Sequence, residues 1–371
     1  MKYSIFIICF FLSFQSIFSQ ELNKQQTQKE SSEYDTLKTQ DSSKNFRSFI
    51  SSVLEVQYDT SRISDLTNKL NIYTGLIGKF HSIELENPNI NKKLKYEPNG
   101  NTSIAVGFNY KWLGLGFNFS PEFLNKDDEI HGKSKRFDTQ LNIYTKSFGI
   151  DAYLQYYKGF YLKNPNDFID WQNDFYPLRP DLESFSFGLS GYYFFNNKKF
   201  SYKAAFNRTQ IQKRSAGSFI LGTYFNANIV NSSGGFIPSE LPDSLHVYYN
   251  IEAYVTNSVG ISCGYTYTFV FLKNFFINAS LVPGLGYRTA TFQTNDNDTK
   301  VKGTLTGSLN ARIALGYEGK YLYTGLTLVS FVDSYNYESI SISSSTGNIR
   351  FFIGKRFNVN HLFKKKTHSF I

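Results

Sequence analysis

From Leu70 to Phe357, apolar and aromatic side chains fall on every second position in runs of about nine to eleven residues. That is the strand length that crosses a bilayer at a tilt. Val259, Ile261, Cys263, Tyr265, Tyr267 and Phe269 show the rhythm most cleanly, because Ser258, Gly260, Ser262, Gly264, Thr266 and Thr268 between them are small or polar. Successive strand side chains point to opposite faces, so one face meets hydrocarbon and the other water. The pattern predicts an all-β chain folded as a closed antiparallel transmembrane β-barrel. A mean hydropathy of −0.33 looks soluble, but a barrel hides its lipid face in alternation, so bulk hydropathy does not discriminate.

The ends read differently. Residues 1–19 carry one Lys2, an apolar core from Tyr3 to Phe14 and small or polar residues up to Ser19, the layout of a cleaved secretory signal peptide. A retained membrane anchor is the alternative, weakened by the short apolar core and by Gln15. Cys9 lies inside that core behind Ile8, which argues against a lipoprotein site. Cleavage leaves only Cys263, which excludes an intramolecular disulfide and a zinc site built on several cysteines. Residues 20–45 are too poor in large apolar groups to offset the entropy of ordering, and predict a disordered periplasmic linker. Phe46, Phe49, Ile50, Val53 and Leu54 then share one face of a short periplasmic helix over residues 46–56, docked on the barrel rim or plugging the lumen. The barrel takes residues 57–357, and a basic tail with Lys364, Lys365 and Lys366 takes 358–371.

Tight turns are expected at Lys111-Trp112, Lys146-Ser147, Asn196-Asn197, Lys273-Asn274 and Glu318-Gly319-Lys320, with long polar connections near 87–101, 120–136, 158–183, 288–302 and 333–347. The count is twelve to fourteen strands. It depends on whether the runs Phe219 to Ile229 and Val247 to Val255 both stand in the wall or form a hairpin in a surface loop; fourteen is the preferred count. Alternation sends Ile104, Val106, Leu115, Phe117, Leu141, Leu309 and Ile313 to the lipid. It lines the lumen with Asn109, Asn118, Gln140, Asn142, Asp151, Gln155, Lys203, Asn278, Asn310, Arg312 and Arg350. Segment 158–183 is apolar for a floating loop, with Trp171, Phe175 and Tyr176. It is expected either to fold inward as a constriction presenting Arg179 and Asp181, or to pack as an external cap.

Catalytic signals are weak. Gly260-Ile261-Ser262-Cys263-Gly264 matches a nucleophile-elbow pattern, yet that motif needs a strained strand-to-helix turn and here lies mid-strand. A lipase- or deacylase-like enzyme would need a Ser and a His meeting on the wall near one leaflet, and His81, His131, His246, His361 and His368 have no partner that spacing can assign. Asp127, Asp128 and Glu129, and separately Asp296 and Asp298, could bridge a divalent cation to lipopolysaccharide, but neither fits a calcium loop, and solvated loop tips are the simpler reading. The net charge of +9 is dispersed instead of massed on one face, which argues against nucleic acid. The 37 Phe and 27 Tyr fit membrane girdles and the lipid face.

Several fragments resemble an uncharacterised barrel family of Bacteroidetes-type bacteria, the domain of unknown function 4421 family. They are Tyr58-Asp59-Thr60, Tyr110-Lys111-Trp112, Tyr156-Tyr157-Lys158-Gly159-Phe160-Tyr161, Arg179-Pro180-Asp181-Leu182, the run from Phe195 to Phe206, and Gln212 to Ser218. The resemblance spans about Gln57 to Phe357 and implies an outer-membrane location with no catalytic residues to carry over. The expected role is a non-enzymatic pore or a binding or structural barrel, without cofactor. Its expected partners are outer-membrane lipids and lipopolysaccharide, the barrel insertion machinery that reads a terminal aromatic strand such as Ile349 to Phe357, and a small solute.

Overall fold

The computed structural model describes residues 58–358, apart from 101, 111–112, 125–126, 295–298 and 338–339. The expected signal peptide, linker, helix and tail lie outside the described residues, as do the turn at Lys111-Trp112 and the acidic pair Asp296 and Asp298.

Alternation becomes strand throughout. After a short β1 (Ile63–Asp65), the wall begins with β2 (Lys69–Asn87), β3 (Lys92–Glu97), β4 (Thr102–Tyr110), β5 (Leu113–Phe119), β6 (Lys135–Tyr144), β7 (Phe148–Leu162) and β8 (Leu178–Phe194). A second short strand, β9 (Gln210–Gln212), pairs with β1. The wall then continues through β10 (Ala216–Asn231), β11 (Ala253–Phe271), β12 (Phe275–Gln293), β13 (Thr299–Glu318), β14 (Leu322–Tyr337) and β15 (Ile340–Asn358). All pairings are antiparallel, and β15 closes onto β2 from Ser341↔Glu86 to Asn358↔Lys69.

Ten strands make the closed hydrogen-bonded ring, β2, β3, β7, β8 and β10 to β15, and β4, β5 and β6 attach to it as three more. The reason lies in one split pass of the chain. β3 pairs with the upper part of β2 (Ile83↔Tyr96) and β4 with its lower part (Gly78↔Thr102), so together they descend beside one strand. β7 changes partner in step. It pairs with β6 up to Lys158↔Lys135, then beyond Gly159 with β3 at Glu97↔Tyr161. Gly159 has φ +86° at a bulge, and a Cβ there would stand 2.4 Å from the Lys133 carbonyl oxygen, so only glycine fits. The wall is therefore ten strands round at the loop end and twelve at the turn end, where β4, β5 and β6 stand below β3. This is the smaller of the counts the sequence allowed. Residues 219–229 do belong to the wall, but Asp243–Val247 is a 3-10 turn and Tyr249 and Ile251 are buried ahead of β11.

The faces sort as a membrane barrel requires. Arg312 is 6% exposed and its neighbour Ile313 48%, and Leu141 lies outward beside the inward Asn142. An apolar belt including Leu76, Phe117, Ile150, Leu189, Ile261, Leu281, Ile313 and Phe351 runs round the wall. The pattern then inverts towards the loop end. On β12, Leu281, Leu285 and Tyr287 face outward, but above Tyr287 the outward residues are Thr289 and Gln293, and Ala290 and Phe292 turn in. On β2, Ile83 and Leu85 are wholly buried between Glu84 and Glu86. Strands of 19 residues are about twice what a bilayer needs, so the upper barrel stands in water, wears polar groups outside and keeps its apolar groups inside.

The belt sets the first prediction. Ile313→Arg, near mid-belt, should lower stability by about 2–4 kcal/mol, and Leu322→Arg at the turn-end rim by about 0–1 kcal/mol, in urea titrations of the protein folded in lipid vesicles.

Candidate binding chamber

Among the described residues two chain segments fold into the barrel, and the candidate site lies against the lower one. The lower one joins β8 to β10. Asn196-Asn197 do not make a two-residue hairpin; they open an excursion through residues 195–215. Its short helix α1 (Tyr202–Phe206) is capped by the Ser201 hydroxyl accepting from the Ala204 amide at 3.2 Å, and β9 pairs with β1. Lys203, expected on the wall, sits buried on this helix, and burial holds its ammonium below the ordinary value against the pull of Asp65. Arg208 has φ +58° and reaches across to the wall, where it donates to Glu318 at 3.0 Å and lies over the ring of Phe276 at 4.4 Å. Arg356 completes the cluster by donating to the other Glu318 oxygen, with its guanidinium 4.4 Å from the ring centre of Tyr323. One carboxylate thus holds two buried guanidiniums between plug and wall.

The upper segment joins β10 to β11. Phe236, Ile237, Leu241, Tyr249 and Ile251 pack against Ile83, Leu85, Tyr96, Tyr254, Phe292 and Ile342 and fill the loop-end mouth. Arg179 and Asp181 serve this closure. They stand on β8, not in a loop crossing the lumen. Arg179 donates to both Asp181 oxygens at 3.0 and 2.9 Å and to the Ile237 carbonyl at 3.1 Å, so the pair anchors the cap. The stretch read as a constriction is divided among the top of β7, an outer connection over 163–177 and the start of β8, with Phe175 exposed.

Above the plug lies a cavity of about 710 Å³. Below it are Phe206, Asn207 and Arg208 of the plug. Above it Lys79, on β2, crosses to β6 and pairs with Asp138 at 2.9 Å. Of the residues expected in the lumen, Asn109, Asn118, Gln140, Asn142 and Arg350 line this chamber. Asp151, Gln155, Asn310 and Arg312 line a smaller adjoining space of about 100 Å³. There Arg312 pairs with Asp151 across the lumen and donates to the Tyr144 hydroxyl at 2.8 Å and to Asn310 at 3.0 Å. Asn278 lines neither, and is spent on Thr266 and Thr268 of the neighbouring strand.

The chamber is electropositive. Among the described residues Lys79, Arg136, Arg208 and Arg350 line it against a single carboxylate, Asp138, which Lys79 already engages, while Arg208 is held by Glu318 beyond the lining. Among the described residues Arg350 has no carboxylate partner and its Nε is buried without a hydrogen bond, while Arg136 donates to the Ser120 hydroxyl. Arg136 and Asp138 were legible, since they alternate with Phe137 and Thr139 on the same dyad as Gln140 and Asn142. Arg208 was not, because the plug has no strand rhythm.

The catalytic readings find no support in this geometry. His81 Nε2 and Ser184 Oγ do meet, at 3.1 Å, but inside the wall instead of on the lipid face, with the imidazole stacked on Tyr157 and its Nδ1 unpartnered. Both are almost fully buried and line neither cavity. Ser262 lies mid-strand on β11 facing inward, with Cys263 exposed outward. Asp128 and Glu129 lie on a single helical turn (Asp128–His131), where Asp127 pairs with His131 at 2.9 Å, and no metal-holding cluster occurs among the described residues.

The sequence matches a family described as a domain of unknown function, DUF4421, over residues 57–357. The chain belongs to that family. No curated protein matches it significantly. Among solved structures, the outer membrane protease OmpT from Escherichia coli is similar at 8% identity, over 79% of this chain and 98% of that one, with a TM-score of 0.37. The translocator domain of the autotransporter NalP from Neisseria meningitidis is similar at 9% identity, over 87% and 98%, with a TM-score of 0.31. The toluene transporter TodX of P. putida is similar at 9% identity, over 81% and 93%, with a TM-score of 0.22. In this DUF4421 chain, the run from Phe195 to Phe206 and the segment from Gln212 build the lower plug.

The plug's ion cluster gives a second prediction. Glu318→Ala leaves two buried guanidiniums without a carboxylate and should cost about 3–5 kcal/mol in reversible unfolding, whereas Glu318→Gln, which keeps an acceptor, should cost clearly less.

Proposed function

We propose that this protein is a non-enzymatic barrel of the bacterial outer membrane, exported by cleavage of residues 1–19, that binds a small solute within a lumen closed at both ends. The observation that carries this reading is the cavity of about 710 Å³, polar and cationic, bounded below by an ion-paired plug and above by the Lys79–Asp138 pair. Its size falls within the range of small-molecule sites, about 300–1,000 Å³. A twelve-strand turn end is wider than wall side chains alone can fill, and here the plug occupies it below the chamber, while the cap fills the ten-strand loop end. The apolar belt and the aromatic residue Phe357 near the end of β15 suit lipids, lipopolysaccharide and the insertion machinery as surroundings and partners. An open diffusion pore fits less well, because the apolar cap fills the loop-end mouth and the plug stands in the lumen at the turn end. A lipid-modifying enzyme fits less well again, because His81 and Ser184 are sealed from any cavity.

Conductance separates these readings. Purified protein in planar bilayers should give no stepwise current, and removing either residues 199–213 or residues 235–249 alone should leave it silent, because the other closure remains. Removing both should produce steps. Stable steps from the intact protein would sink the binding-barrel reading.

A further inference from the structure

β5 and β6 stand side by side at the turn end but share no hydrogen-bonded ladder among the described residues; β5 pairs only with β4, and β6 only with β7. The wall is thus unzipped for the length of one short strand, beneath the lintel where β3 joins β7. An unpaired strand edge facing hydrocarbon leaves backbone N–H and C=O groups unsatisfied at several kcal/mol each, and such edges persist at membrane depth only where they line protein or a water-filled cavity. This one borders the chamber. The cavity is lined on this side by Leu115, Phe117 and Phe137, whose outward exposure on the apolar belt is 38%, 64% and 57%. Behind them stand Arg136 and Arg350. The same space therefore meets lipid-facing rings at one edge and cations without a carboxylate of their own at the other.

We infer that the seam between β5 and β6 is a lateral passage by which an anionic amphiphile, a single acyl chain ending in a carboxylate or phosphate, passes between the bilayer and the chamber. The inference rests on the binding-barrel reading and names its ligand class and route. Arg136 and Arg350 hold the anionic head, and the tail leaves past Phe117 and Phe137 into hydrocarbon. The seam is a way in that needs neither plug nor cap to move. The head gains charge-assisted bonds from Arg136 and Arg350, the lining cations that no carboxylate engages among the described residues, and the tail never leaves an apolar surround.

The test uses the full mature chain in nanodiscs of zwitterionic lipid, with Trp112→Phe and Trp171→Phe removing its own indoles and Phe137→Trp placing one at the seam. Bromine-tagged dodecanoate, which quenches indole on contact, is titrated in. Saturable quenching is expected at position 137. A reporter placed instead by Leu305→Trp, on the outward face of β13 across the barrel, should show only the gradual quenching of a probe dissolving in lipid. Arg350→Ala should weaken the saturable binding about tenfold, Arg350→Lys should restore much of it, and bromine-tagged dodecanol should not distinguish the two reporters. Equal quenching at both reporters, or an affinity indifferent to Arg350→Ala, overturns the inference. If acetate or inorganic phosphate displaces the probe as well as untagged dodecanoate does, the chamber takes an anion from water. That result overturns the lateral route while leaving the binding-barrel reading intact; stepwise conductance, by contrast, would remove that reading itself.

Discussion

A strand placed in hydrocarbon has nowhere to send its backbone hydrogen bonds except to another strand, and that obligation organises this molecule. It is met along nearly the whole circuit, through ladders such as the eighteen partners of β15 on β2 and the nineteen of β12 on β13. Where the obligation is relaxed, the reason is local. β7 can follow only one partner at a time; above Gly159 it follows β3 and below it follows β6, so the two passes must part, and β5 and β6 occupy the widening gap without meeting in a ladder. The wet, cationic chamber lies behind that gap, as the physics of an unpaired edge demands.

Width creates a second obligation. Ten strands at one end and twelve at the other enclose more volume than their own side chains can fill, and the chain meets this with two insertions of opposite chemistry. The cap at the loop end is an apolar cluster, because the barrel there stands in water and has inverted its faces. The plug at the turn end lies within the belt, where the inner face is polar, and it is held by Arg208, Glu318 and Arg356. Buried ion pairs of this kind contribute little net stability over an apolar packing of the same shape, but breaking one is costly. They fix where the plug sits more than they strengthen the fold.

The extent to which all this was legible follows from what each signal measures. Period-two alternation reports a difference between faces, so it identified the wall strands, the antiparallel closure and inward residues such as Asn142, Arg312 and Arg350. It does not report which face is wet. Above Tyr287 the same rhythm continues with its phase reversed, and Ile83, Leu85 and Phe292, greasy and alternating, point inward. The run from Val247 to Val255 misled for a related reason: Tyr249 and Ile251 alternate because they bury into the cap, not because they lie in a strand. Asn196-Asn197 carries real turn chemistry, but nothing in a turn's residues says whether the chain then doubles back or dives into the lumen.

Lys79 and Asp138 show how the remaining step, from strand to site, depends on distance along the chain. Each was recognisable alone as a polar inward residue, 59 positions apart, but their pairing across the lumen fixes the chamber's upper limit and removes the only lining carboxylate from competition for Arg136 and Arg350. A cation's availability is thus decided by contacts that no local pattern encodes. Were Asp138 free to swing towards Arg350, that guanidinium would be spent and Lys79 released in its place, at the chamber's upper limit instead of beside the seam. Held instead by Lys79 at 2.9 Å and by the Gln155 amide, also at 2.9 Å, it leaves the positive field directed at the one stretch of wall that the ladder does not close.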